Sequence, residues 1–179
     1  MVSFLILYIR SNWWLIEFKL ARWRWERKNE LESEQKFDVF VSYSSNDQDW
    51  IDHILMKNLE PGYKLCLHER DFQIGQSIIE NIVECLSQSK CCFIILSENY
   101  VKSDWCNFEA LVAQTILKDK LTMIVLDQEV TAQKNLSAVI KALVKTRTFI
   151  NWDEKDSKFW RRIDEAITRK TIMNNNNEL

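Results

Sequence analysis

Five short runs of apolar residues punctuate the chain, separated by longer polar and amphipathic stretches. They are residues 37–43 (FDVFVSY), 63–68 (YKLCLH), 91–96 (CCFIIL), 121–126 (LTMIVL) and 148–152 (TFINW). Their length and their Val, Ile, Phe and Leu content predict strands, the most apolar of them covered on both faces. Between the runs, apolar positions recur at helical spacing. Trp50, Ile51, Ile54 and Leu55 follow the first run, and Ile78, Ile79, Ile82, Val83 and Leu86 follow the second. Phe159, Trp160, Ile163, Ala166 and Ile167 form the inward face of a closing helix over 156–169. Residues 98–118 alternate helix-like and irregular stretches, and 128–145 read as a loop plus a helix.

Local signals set the joints. Ser42, Ser44, Ser45 and Asn46 are turn formers whose side chains bond nearby backbone. Asp47 is placed to cap the first helix. Ser77, with Glu80 three residues later, has capping-box spacing. Pro61–Gly62 is a turn. Strands alternating with helices predict βαβ units with right-handed crossovers, hence an α/β domain. The expected fold is a flavodoxin-like five-stranded parallel sheet in the order 2-1-3-4-5, with helices on both faces. Loops at the carboxyl ends of such strands carry function, which selects residues 44–47 and 69–77.

The N-terminal part follows another pattern. Residues 2–9 are almost wholly apolar, but a bilayer core needs about 20 such residues. Arg10 ends the run, Trp13 and Trp14 follow, and Trp23 and Trp25 interleave with Arg22, Arg24 and Arg27. Apolar core, interfacial tryptophans, then basic residues is the order of a membrane exit. The competing reading is an amphipathic helix packed on the domain. The expected division is a membrane-exit and juxtamembrane segment (1–28), an acidic linker (29–36), one domain (37–169) and a disordered tail (170–179).

Charge sharpens this division. The net charge of −2 conceals six basic against two acidic residues in 1–28. The rest of the chain is therefore acidic, and no nucleic-acid partner is expected for it. Two glycines exclude the dinucleotide-binding and phosphate-loop motifs, which need several. The five cysteines are odd in number, lack a CxxC and lie largely within apolar runs, so they read as buried reduced thiols. His53 and His68 stand apart from any cysteine pair, and no metal is expected.

Three stretches together resemble the Toll/interleukin-1 receptor (TIR) domain family. Residues 37–44 (FDVFVSYS) are similar to its first box. Arg70-Asp71-Phe72-Gln73-Ile74-Gly75 is similar to its second, and Phe159-Trp160 to its third. Residues 64–72 (KLCLHERDF) and 96–109 (LSENYVKSDWCNFE) resemble the Toll-like receptor versions, and the tryptophan- and arginine-rich stretch before them resembles their juxtamembrane segment.

The resemblance implies a cytoplasmic signalling domain on a membrane-associated protein of innate immunity. It would act by homo- or heterodimeric association with receptor and adaptor TIR domains through the loop bearing Arg70, Asp71, Phe72, Gln73, Ile74 and Gly75. Ile74 stands where the family has proline, which loosens the loop backbone and adds an apolar side chain. No cofactor is implied. An alternative implied by the same resemblance is an NAD nucleosidase, with NAD as substrate and Glu109 as the catalytic carboxylate.

Overall fold

The computed structural model describes residues 13–28 and 35–175. The apolar run 2–9, most of the expected linker and the last four residues lie outside the described residues. The five strands are β1 (Phe37–Ser42), β2 (Leu65–Leu67), β3 (Ser89–Leu96), β4 (Leu121–Val125) and β5 (Phe149–Asn151). They form one parallel sheet in the order β2-β1-β3-β4-β5, the order expected from the sequence.

Strand alternation divides the core into two layers. Phe40, Cys66, Cys92, Ile94, Leu96, Met123 and Val125 face one side. There they meet α4 (Ile78–Ser87), α6 (Asp104–Leu117) and α7 (Ala138–Thr146). Val39, Val41, Leu65, Leu67, Cys91, Phe93, Ile95 and Ile124 face the other. They meet α2 (residues 48–59), whose middle turns at Ile51–Met56 are π-helical, and α8 (Phe159–Asn175). Residues Phe40 and Phe93, on opposite faces of neighbouring strands, are both fully buried. A short helix α3 (His68–Asp71) follows β2, and α5 (Glu98–Lys102) follows β3. All five cysteines are buried and free.

Several joints differ from expectation. Ser77 caps α4 as predicted, accepting from the Glu80 amide at 3.2 Å. The Glu80 carboxylate does not close the capping box and pairs instead with Arg24 at 2.7 Å. Asp47 does not cap α2: Ser44 caps a single 3-10 turn ahead of it, and the Asp47 carboxylate is used elsewhere. The second strand is shorter than 63–68, because His68 already begins α3. The closing helix runs to Asn175 rather than ending at 169. No glycine or proline stands there to stop it.

Helix α1 (Trp13–Lys28) precedes the sheet in sequence but belongs to the folded unit. Phe18 and Ala21 are buried in the first core layer, and Trp25 packs beside them. The Arg24–Glu80 pair joins α1 to α4. Trp14 meets Phe108 of α6 edge-on, with ring centroids 5.2 Å apart. This is the amphipathic-helix reading of residues 13–28. Among the described residues, no helix is long and apolar enough to cross a membrane.

Truncating Phe18 to Ala removes the buried anchor of α1 and should cost about 2–4 kcal/mol of local stability. Hydrogen exchange should then show α1 amides losing protection while β3 amides keep theirs. Unchanged protection of α1 would contradict its docking.

Candidate functional site

The carboxyl edge of the sheet gathers polar residues from three chain segments. Ser42, the last residue of β1, shares the sheet face of Phe40 and so points toward α6. Its Oγ lies 2.6 Å from Glu109 Oε2 and 2.8 Å from Tyr100 Oη. Tyr100 Oη also donates to the Cys106 carbonyl at 2.9 Å. Glu109 is 1% exposed, and Ser42 and Tyr100 are fully buried.

Protons decide the state of this cluster. The Ser42 hydroxyl donates to the Glu109 carboxyl, and in the Ser42–Tyr100 contact either hydroxyl can be the donor. Burial raises the Glu109 carboxyl to about 7 against the smaller opposing hydrogen bonds from Ser42 and Trp105. Burial, and then the nearby Glu109, also hold the Tyr100 phenol well above its ordinary range. Burial pushes the Cys106 thiol up to about 12, which makes it a packing group rather than a nucleophile.

A second polar knot lies beside it. Asp47 accepts from Ser97 Oγ at 2.5 Å and from Asn99 Nδ2 at 2.7 Å, fastening the loop after β1 to the loop after β3. Tyr43 stacks on His68 with centroids 4.4 Å apart, and His68 contacts Phe72 at 6.2 Å. This aromatic series leads from the end of β1 to the loop of residues 72–77.

The six loop residues singled out from the sequence divide into two groups. Arg70 is engaged internally: it pairs with Glu60, lies 3.2 Å from Asp71 and donates to the Leu65 carbonyl at 2.6 Å. Asp71 accepts the Leu67 amide at 2.8 Å. Phe72 packs partly into the first core layer. Beyond it, buried Asn81 of α4 accepts the Gln73 amide at 2.7 Å and donates to the Gln73 carbonyl at 3.1 Å. Gly75 takes a left-handed φ of 88° that a side chain would strain. Between these fixed points Ile74 stands fully exposed. Glu109 is not brought to this loop. It belongs to the buried cluster.

A family model for the TIR domain matches residues 39–164. The chain belongs to the TIR domain family. Among curated relatives it is 33% identical to Toll-like receptor 6 of Bos taurus over 189 residues, covering 96% of this chain and 23% of that protein. It is 31% identical to the Protein toll of Drosophila melanogaster over 168 residues, covering 90% of this chain and 15% of that protein. This TIR chain therefore spans less than a quarter of the length of these relatives. Among solved structures, the TIR domain of a Toll-related receptor from Hydra magnipapillata superposes with a TM-score of 0.62 at 21% identity, over 74% of this chain and 99% of that one. A TIR-STING receptor from C. gigas, solved with 2',3'-cGAMP, gives 0.60 at 22% identity over 76% and 40%. These two likenesses show a shared TIR fold.

Sequence reasoning gives Ser42 and Asp47 only local roles, as turn former and cap, and does not single out Tyr100 or Asn81. Their partners stand up to 67 residues away, and no local pattern announces them. The strand parity that puts Ser42 on the face of Phe40 was the one available signal.

Glu109 gives a pH prediction with a defined sign. Its folded pKa of about 7 lies above the ordinary 4.5. The folded protein therefore holds the proton more tightly, and this stabilisation is full below pH 4.5 and lost as pH rises through 7. Global stability should fall by on the order of 3 kcal/mol between about pH 5 and pH 8 from this group alone. Glu109→Gln keeps an acceptor for the Ser42 hydroxyl and should remove most of that slope in denaturant titrations. Parallel pH profiles for the two proteins would contradict the raised Glu109 pKa.

Proposed function

We propose that this TIR domain is a signalling scaffold. It works by homotypic association with TIR domains of receptors and adaptors in innate immune signalling, on a protein whose N-terminal segment lies at the membrane. Family membership and the likeness to Toll-like receptors support this reading. The observation that carries the contact assignment is Ile74, a fully exposed isoleucine on a loop whose flanks are pinned by Arg70, Asp71 and Asn81. Pre-shaped backbone with an exposed apolar tip lowers the ordering cost of association. Arg70 and Asp71 shape the loop, and Ile74 with Gln73 makes the contact.

A second reading rests on Glu109. A carboxyl titrating near neutrality suits acid–base chemistry, and under the NAD nucleosidase alternative Glu109 would be the catalytic residue. At 1% exposure and bonded to Ser42, it is not open to a substrate in this conformation. We therefore propose the scaffold over the hydrolase. NAD loss in a clustered preparation, abolished by Glu109→Gln, would establish the enzyme; no loss in either protein is the outcome expected here.

For the scaffold, Ile74→Asp should weaken TIR–TIR association by about tenfold or more with the melting temperature unchanged. Arg70→Ala should instead lower stability by about 1 kcal/mol, since it frees the Leu65 carbonyl and two carboxylates at a half-exposed site. Unchanged association in Ile74→Asp, measured by analytical ultracentrifugation against a partner TIR domain, would remove the loop from the interface.

A further inference from the structure

Helix α1 is apolar on two opposite faces, and the domain covers only one. Phe18, Ala21 and Trp25 sit on the covered face with Trp14 at its edge. Trp13, Ile16, Leu20 and Trp23 recur every three or four residues on the other, forming a continuous stripe. All four are exposed, Trp13 by 58%, Leu20 by 43% and Trp23 by 51%. Four large apolar side chains in line on a surface helix mark a contact surface.

Charge selects what covers it. Lys19 and Arg27, both exposed, flank or extend the stripe, while Arg24 is already paired with Glu80. The Arg27 guanidinium lies over the Trp23 ring at 4.6 Å from its centroid. Of the two acids on α1, Glu26 is paired with Arg22 at 2.7 Å. Tryptophans with an apolar body and a polar N–H, edged by cations, fit the boundary between acyl chains and anionic headgroups. A second copy fits less well, because joining two stripes sets Lys19 and Arg27 against the same basic residues.

We propose that α1 lies flat on an anionic membrane surface through Trp13, Ile16, Leu20 and Trp23. It rests on the membrane-proximal part of the proposed function and adds a seat and an orientation. Because α1 is docked on α4 through Phe18 and Ala21, the bilayer lies on the side of α4, α6 and α7. That turns α2 and α8 toward bulk solvent and fixes the domain relative to the membrane plane, rather than leaving it tethered by a flexible joint.

The test uses the full chain and sedimentation with vesicles of phosphatidylcholine alone or mixed with phosphatidylserine. Binding should favour the anionic vesicles and weaken with added salt. The double variant Leu20→Glu, Trp23→Glu alters only exposed positions, so its melting temperature should match the native protein. It should partition about tenfold or more weakly, with less quenching of tryptophan fluorescence by brominated lipid. Native binding that the variant retains overturns the α1 seat and leaves membrane proximity standing. Absence of binding by both proteins overturns both readings. A lipid-free dimer that the double variant abolishes overturns the proposal in favour of chain–chain pairing.

Discussion

A buried carboxyl needs a partner for every proton and lone pair, and the arrangement of this domain follows from how Glu109 meets that demand. Its cost of burial is offset by hydrogen bonds from Ser42 and Trp105, and Ser42 also contacts Tyr100, which donates to the Cys106 carbonyl. Ser42 ends β1, Tyr100 lies on α5 and Glu109 on α6. Three separate segments are thereby locked at one edge of the sheet, each by a group that would be costly to bury alone. Asp47 repeats the device on a smaller scale, with Ser97 and Asn99 as donors.

That internal edge leaves function to the surface. Tyr43 follows Ser42 directly, stacks on His68, and so carries the rigidity of the cluster toward the loop at Ile74. Arg70 and Asp71 complete the loop's support by turning inward to β2. The side chains with the most evident chemistry, Glu109, Arg70 and Asp71, are hydrogen-bonded within the domain, while the fully exposed side chain of the loop is aliphatic Ile74. On the α1 side the domain offers a second surface, aromatic and basic. The two surfaces have different characters: one is a point contact on a stiff loop, the other a long stripe suited to a plane.

The sheet was legible because its strands are buried on both faces and read as uninterrupted apolar runs, and the crossover rule then left the observed order. Ser77 was legible as a cap because capping is local. Asp47 misled for the same reason: its spacing is that of a cap, but long-range donors take its carboxylate. Arg70 and Asp71 look like free loop charges in sequence, and nothing near them shows that Glu60 and the Leu65 carbonyl stand opposite. Residues 1–28 read as a membrane exit because an apolar run, tryptophans and then basic residues follow one another in that order. The docking of α1 became visible only through Phe18 and Ala21 in the core.

The raised pKa of buried Glu109 is the claim on which the account turns, and carbon-13 NMR titration of its side-chain carboxyl tests it most directly. The account predicts a midpoint near 7, with the Tyr100 and Ser42 signals following the same transition. A carboxyl that titrates near the ordinary 4.5 would contradict it, and would make Glu109 a buried anion in need of another partner.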